Sequence, residues 1–136
     1  MIRIRPYTQA IDRLKAARLR PTRQRIALAR LLLEGEDRHV TAEQLHAEAV
    51  SAKIKVSLAT VYNSLHQFTA AGLMREVVVE AGRSYFDTNT SDHYHFFEED
   101  AATLSDIPTD SIVLPALPEA PNGRKIDRID IIVRLK

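Results

Sequence analysis

Two histidines separated by a single residue are the part of the sequence best suited to chemistry. His93 and His95 flank Tyr94, and residues two apart on a strand point to the same side, so both imidazoles face one way. Asp92 precedes the pair, and Asp106 falls on the neighbouring predicted strand. Two imidazoles with carboxylates nearby favour a metal site, although the spacing alone also allows two ordinary structural histidines.

Two further candidate ligands lie earlier in the chain. Asp87 precedes His93 by six residues, and His39 lies just before a predicted helix. Nitrogen and oxygen donors without sulfur suit Fe²⁺, Mn²⁺ or Zn²⁺, and the usual order of affinities does not choose among them. The chain has no cysteine, which excludes disulfides, thiolate zinc sites and cysteine nucleophiles.

Residues 57–72 predict one helix with a polar face suited to reading DNA. Ser57 can cap its start and Gly72 its end. Apolar residues at helical spacing predict the buried face: Leu58, Val61, Leu65 and Phe68. Uncharged donors and acceptors, the kind that read base edges, are predicted on the opposite face: Thr60, Asn63, Ser64 and Gln67, with Tyr62 at its flank. The alternative is an ordinary amphipathic surface helix.

The elements around this helix predict a winged helix-turn-helix. Three helices are predicted before it, at residues 8–17, 22–34 and 41–50, the second capped by Thr22 and the third by a capping box of Thr41 and Gln44. Two short strands follow it, at residues 73–80 and 83–87. Since a β-hairpin directly after a helix-turn-helix forms a wing, residues 1–88 are predicted to be a DNA-binding domain.

The remaining residues, 89–136, predict a small second module. Strands are expected at residues 93–98, 103–107 and 126–136, with at most a short helix between residues 110 and 120. So short a segment can scarcely bury a core alone, and pairing with a second copy across a two-fold axis would complete it. The predicted fold class is α+β, an N-terminal winged helix-turn-helix plus a small C-terminal α/β dimerisation module.

The charge distribution supports a polyanionic partner for the first half of the chain. The net charge is only +1, but residues 1–83 carry 14 basic and 8 acidic side chains, whereas residues 84–136 carry 5 and 10. Residues 1–7 are interpreted as a basic arm. The chain shows no apolar run of membrane-spanning length and no signal-peptide pattern, so a cytoplasmic protein without a membrane partner is expected.

These residues resemble the Fur family of metal-responsive repressors. The resemblance is carried by the recognition-helix motif at residues 58–65, by residues 39–43, and by Asp87 with the pattern at residues 93–95. The C-terminal segment at residues 126–135 and the Asp-Ile-Pro segment at residues 106–108 are most similar to the iron response regulator subgroup. Residues 91–95 have the same sequence, Ser-Asp-His-Tyr-His, as the peroxide-sensing branch.

The resemblance implies a set of site residues. The implied ligands of the regulatory metal are His39, Asp87, His93, His95 and Asp106. On the recognition helix, Tyr62 and Asn63 match positions that meet bases, with Tyr62 against a thymine methyl. Arg20 matches a residue that enters the minor groove, and Arg25 one near phosphate. With the cap and polar-face residues, the predicted DNA-binding set is Arg20, Arg25, Ser57, Thr60, Tyr62, Asn63 and Gln67.

The predicted function is a dimeric, sequence-specific regulator of iron and haem homeostasis that binds an A·T-rich inverted repeat, as a dimer or a higher oligomer. A divalent metal, Fe²⁺ or Mn²⁺ with Zn²⁺ as a further candidate, is expected to control DNA binding. Haem is a second candidate effector, although Tyr94 stands where the subgroup often has a third histidine. The alternatives are a peroxide-sensing repressor, a plain metal-dependent repressor and, more remotely, a small metal-dependent hydrolase. The sequence contains neither the Gly-x-Ser-x-Gly nor the His-Glu-x-x-His motif of hydrolases. No enzymatic activity is expected.

Overall fold

The computed structural model describes residues 6–108 and 110–136 as two compact units, the first ending at Thr90 and the second beginning at Ser91. Most of the basic arm interpreted from residues 1–7 lies outside the described residues. The domain boundary predicted between residues 88 and 89 stays a prediction.

The first unit contains four helices followed by a β-hairpin. The helices are α1 (Pro6–Ala16), α2 (Arg23–Leu33), α3 (Ala42–Ser51) and α4 (Leu58–Ala70), and the strands are β1 (His39–Val40), β2 (Arg75–Glu80) and β3 (Arg83–Asp87). The three strands form an antiparallel sheet in the order β1-β3-β2. The helix-turn-helix with its wing follows the predicted order, whereas the two-residue strand β1 was not predicted.

Local signals in the sequence define the helix ends as predicted. Thr22 and Ser57 cap α2 and α4, each accepting a hydrogen bond from a first-turn amide. At α3, Thr41 and Gln44 form the complete capping box. After α4, Gly72 has a φ of 84°, a left-handed conformation that glycine adopts at little cost.

The buried face of α4 differs from the prediction at two positions. Val61, Leu65 and Phe68 are fully buried, but Leu58 is 37% exposed and Ser64 only 5%. At about 100° per residue, Ser64 lies within 40° of Phe68 around the helix axis, whereas Leu58 lies beyond Leu65 at the edge of the buried arc. The core of the first unit therefore accepts a small polar residue and leaves the first-turn leucine at the surface.

The second unit is built on a three-stranded sheet. Its strands are β4 (His95–Glu98), β5 (Thr103–Asp106) and β6 (Ile132–Leu135), in the order β5-β4-β6. β4 pairs antiparallel with β5 and parallel with β6. Asp106 at the end of β5 and Ile132 at the start of β6 both pair with His95, so β5 returns the chain to the end of the sheet at which β6 begins. Residues 110–120 are irregular, which agrees with the prediction of at most a short helix there, and a 3₁₀ turn, Pro121–Gly123, follows. The last strand is shorter than predicted.

Candidate metal centre and nucleic-acid interface

The first unit brings together two of the predicted metal ligands. His39 and Asp87 are directly paired across β1 and β3, with His39 Nε2 3.6 Å from Asp87 Oδ2. The Asp87 side chain is 2% exposed, and its Oδ1 accepts a hydrogen bond of 2.9 Å from the Asn89 amide. A buried carboxylate is costly unless it is paired or coordinated. This pair thus presents one nitrogen and one carboxylate oxygen, both held by sheet geometry.

The second unit brings together the other three predicted ligands. His95 pairs with Asp106 across β4 and β5, and Asp106 Oδ1 lies 3.5 Å from His95 Nε2 and 3.4 Å from His93 Nε2. Both imidazoles are buried, at 8% and 6% exposure, whereas Asp106 is half exposed. Asp92, considered next to the histidine pair, is not among the residues whose ligand atoms converge in the described part of the chain.

A hydrogen bond defines which nitrogen of His93 faces Asp106. His93 Nδ1 lies 2.6 Å from the Ser91 carbonyl oxygen. Since a carbonyl can only accept, Nδ1 is the protonated nitrogen, and in the neutral imidazole Nε2 carries the lone pair. Such a bond to backbone oxygen is the usual support of a metal-binding histidine, because it holds both the tautomer and the ring orientation.

The separations within each group fit a divalent cation. Distances of 3.4–3.6 Å between imidazole nitrogen and carboxylate oxygen are longer than normal hydrogen bonds. Metal–ligand bonds of about 2.0–2.1 Å in a tetrahedron place neighbouring donors about 3.3–3.4 Å apart. The donor types and spacings therefore suit Zn²⁺, Mn²⁺ or Fe²⁺ at either group.

The predicted DNA-reading residues lie on α4 and at the start of α2. The eight residues that line one cleft in the first unit are all polar or charged and come from α4, from α2 and from the segment just before α2: Arg20, Thr22, Gln24, Arg25, Thr60, Asn63, Ser64 and Gln67. Asn63 is exposed, and within the described part of the chain its side chain makes no hydrogen bond. Ser57 and Thr60 are bonded to each other at the helix cap, at 2.9 Å between hydroxyls and 3.1 Å from amide to hydroxyl.

Arg25 links the two elements. Its guanidinium donates to Gln67 Oε1 at 2.9 Å on α4 and to the Arg20 carbonyl at 3.1 Å. Arg25 therefore orders Gln67 and the segment that carries Arg20, in addition to its predicted place near phosphate. Ser64, predicted on the polar face, is buried and only lines the cleft.

Tyr62 has an acidic partner that the sequence analysis missed. Its hydroxyl donates to Glu43 Oε1 at 2.7 Å, from α4 to the first turn of α3. This hydrogen bond lowers the pKa of Glu43 and raises the pKa of Tyr62. The Tyr62 ring also stacks on His66 with centroids 6.4 Å apart, and His66 meets the edge of Phe86. No local pattern marks a contact between residues so far apart in the sequence.

Across the described residues, no helix combines the length and the apolar character needed to cross a bilayer.

Comparison with known proteins identifies relatives of the chain. The model of the ferric uptake regulator family matches residues 16–132. The peroxide-responsive repressor PerR of Staphylococcus epidermidis is 35% identical over 99 residues, 72% of this chain and 65% of PerR. The ferric uptake regulation protein of Shigella flexneri is 34% identical over 100 residues, 73% of this chain and 68% of that protein. The chain thus matches about two thirds of each relative's length.

Solved structures share the fold. The ferric uptake regulator of Vibrio cholerae aligns with a TM-score of 0.74 and 24% identity, over 93% of this chain and 98% of that one. The Pseudomonas aeruginosa ferric uptake regulator with manganese aligns with a TM-score of 0.68 and 23% identity, over 93% and 96%. These likenesses confirm the predicted α+β fold. The named relatives are regulators and repressors, which argues against an enzyme. The family match over most of the chain shows that it belongs to the ferric uptake regulator family of transcriptional regulators.

Proposed function

We propose that this protein is a homodimeric, sequence-specific DNA-binding regulator of transcription whose affinity for DNA is controlled by a divalent metal. The observation that carries the proposal is the polar face of α4, with Asn63 exposed beside the arginine-bearing start of α2. An enzyme would need an open reaction site, whereas this surface offers donors and acceptors at the spacing of a recognition helix.

The proposed interaction with DNA divides between affinity and sequence choice. Asn63 can make two hydrogen bonds to adenine in the major groove, and the exposed ring of Tyr62 can pack on a thymine methyl. Arg20 and Arg25 would supply salt-dependent contacts to the sugar–phosphate backbone. Two copies related by a two-fold axis would bind half-sites about one helical turn apart, so an A·T-rich inverted repeat is the proposed operator.

We propose His39, Asp87, His93, His95 and Asp106 as the ligands of one regulatory cation, the set that the sequence resemblance implies. The donor separations within each group and the Nδ1–Ser91 bond of His93 support this assignment. When bound, the cation supplies positive charge and a fixed coordination geometry. The protein holds the donors in place: the Asn89 amide orients Asp87, and the Ser91 carbonyl orients His93. Occupancy changes DNA affinity only as far as the cation prefers the DNA-binding conformation.

Iron is the proposed signal, with Fe²⁺ or its substitute Mn²⁺ as the cation. Nitrogen and carboxylate donors suit both ions and also Zn²⁺. Related structures are described with manganese, with iron and as a zinc-bound manganese uptake regulator. Haem is proposed only as a second effector. A peroxide response is the second candidate function, favoured by the similarity to PerR.

A homodimer is supported by the apolar surface of the second unit. Large apolar side chains are exposed along its irregular segment, among them Val113 at 86%, Leu117 at 48% and Ile126 at 49%. Its buried apolar residues among those described are only Phe97, Leu104 and Ile107. A second copy that covers this segment would complete a core too small to stand alone. A regulator of this kind acts in the cytoplasm, with the DNA it binds.

Fluorescence anisotropy of the metal-stripped protein tests the proposal, with an A·T-rich inverted-repeat duplex compared with a scrambled duplex of the same length. The titrations are run without addition, with Mn²⁺, with haemin, and with Fe²⁺ followed by peroxide. We expect selective binding to the inverted repeat, with an affinity that changes when Mn²⁺ is added. The titrations with haemin and with peroxide distinguish the subgroups. Isothermal titration with Mn²⁺ should give one tight site per chain. Absence of selective binding in every arm would refute the DNA-reader proposal.

A further inference from the structure

Arg38 connects three elements next to the ligand pair of the first unit. Its guanidinium donates to both carboxylate oxygens of Glu48 on α3, at 2.8 and 2.5 Å, and to the Leu31 carbonyl near the end of α2, at 3.4 Å. Its backbone amide donates to Thr88 Oγ1 at 2.9 Å, and its carbonyl accepts from the Thr88 amide at 3.0 Å. The hydrogen bond to Glu48 raises the pKa of Arg38, so the guanidinium stays charged.

The position of these contacts in the sheet is specific. Arg38 directly precedes His39, and Thr88 directly follows Asp87, so the bond from the Thr88 amide to the Arg38 carbonyl extends the β1–β3 pairing next to the His39–Asp87 pair. The Thr88 hydroxyl oxygen accepts from the Arg38 amide at the same place. A change in the Arg38 backbone would therefore change the separation of the two ligand atoms. Glu48 lies on α3, the first helix of the helix-turn-helix, which packs against the recognition helix α4. One ion pair thus joins the end of the ligand-bearing strand to the DNA-reading motif.

We propose that the Arg38–Glu48 ion pair is the positioning element that holds the His39–Asp87 ligand pair in register with the helix-turn-helix, so that it sets both metal affinity and the coupling of metal to DNA binding. The inference rests on the proposed function. Neither residue is a ligand or a base contact. Bidentate binding by a guanidinium restricts orientation as well as distance, which a single point charge does not do. Residues that support metal ligands are commonly worth a measurable factor in affinity.

The chain provides a matched control in Arg30–Glu34. This pair also joins an arginine to a glutamate, at 3.0 Å, with side chains 31% and 35% exposed against 34% and 36% for Arg38–Glu48. Arg30 lies within α2 and Glu34 at its C-cap, so this ion pair joins one turn of a single helix to the next. The two pairs therefore differ in what they connect rather than in charge or exposure.

The experiment compares wild type with Glu48→Gln, Glu34→Gln and Arg38→Lys. For each protein, the Mn²⁺ dissociation constant is measured by titration calorimetry without DNA, and the DNA dissociation constant is measured with and without saturating Mn²⁺. The ratio of the two DNA constants is the coupling factor. Thermal unfolding of the metal-free proteins records any general loss of stability. Arg38→Lys keeps the positive charge but loses the planar guanidinium that binds both carboxylate oxygens. It therefore serves as the milder second variant if Glu48→Gln folds poorly.

We expect Glu48→Gln to weaken Mn²⁺ binding about three- to fivefold and to lower the coupling factor, with metal-free DNA affinity unchanged. Arg38→Lys should give a smaller loss, and Glu34→Gln none. Equal Mn²⁺ affinities and coupling factors in Glu48→Gln and Glu34→Gln would overturn the inference. A loss of DNA affinity in Glu48→Gln that is equal with and without Mn²⁺ would also overturn it. If wild type shows no metal effect on DNA, the proposed function fails instead, while the Mn²⁺ constants still test the ion pair.

Discussion

Two substitutions on α4 should affect two properties separately: the stability of the fold, and the discrimination between DNA sequences. Leu65 is fully buried, and Asn63, two residues earlier, is exposed. Leu65→Ala should remove about 2–5 kcal/mol of unfolding free energy, because a buried leucine leaves a cavity that closes only in part. At about 4–8 °C per kcal/mol for a domain of this size, that corresponds to a fall in melting temperature of about 8–40 °C. Asn63→Ala should change stability by about 0.5 kcal/mol or less.

The effects on DNA binding should have the opposite order. Loss of a bidentate contact to adenine costs about 1–3 kcal/mol of discrimination, so Asn63→Ala should lower the ratio of operator to scrambled affinity about 5- to 150-fold. Leu65→Ala, measured below its melting temperature, should retain most of that ratio. Thermal unfolding followed by circular dichroism and anisotropy on both duplexes measure the two quantities. Equal losses of stability in the two variants, or an unchanged ratio in Asn63→Ala, would refute the assigned orientation of α4.

Three further outcomes are expected. His95→Gln should weaken Mn²⁺ binding about tenfold or more in calorimetry, while metal-free binding to the scrambled duplex stays as in wild type. The hydrogen bond from Tyr62 lowers the pKa of Glu43. The stabilisation from this bond is therefore present above the carboxyl pKa of the unfolded chain and is lost as pH falls through the pKa of the folded protein. Tyr62→Phe should flatten the dependence of the unfolding free energy on pH below about pH 5. Val113→Asp should shift sedimentation toward monomer, and an unchanged dimer would remove Val113 from the interface.

Features with a short-range cause were predictable from the sequence. The caps at Thr22 and Ser57 and the capping box at Thr41 each involve residues within one turn, and each is present in the structure. The histidine pair was recognisable because the strand period of two places both imidazoles on one side. Asp106 joined the pair because the second strand of the hairpin returns opposite His95.

Features that depend on a distant partner were not predictable. Strand β1 has only two residues and exists because β3 pairs with it, so no periodicity marks it. The arc buried on α4 depends on how the core contacts the helix, which is why Leu58 is exposed and Ser64 buried. The Arg38–Glu48 and Arg25–Gln67 bonds join residues 10 and 42 positions apart. Their residue types are common on solvated surfaces, and only the fold makes them neighbours.

These distant bonds also restrict how the reading surface can meet DNA. Gln67 accepts from Arg25 through its carbonyl oxygen, so its amide group is left to donate, and a donor selects base acceptors such as purine N7 or thymine O4. Tyr62 donates its hydroxyl to Glu43, so its ring edge is the part free to meet a base, which agrees with the expected contact to a thymine methyl. Asn63 alone keeps a complete amide for bidentate recognition. Direct hydrogen-bond readout by α4 therefore depends most on Asn63, while Tyr62 and Gln67 are held in orientations that reduce the entropy lost on binding.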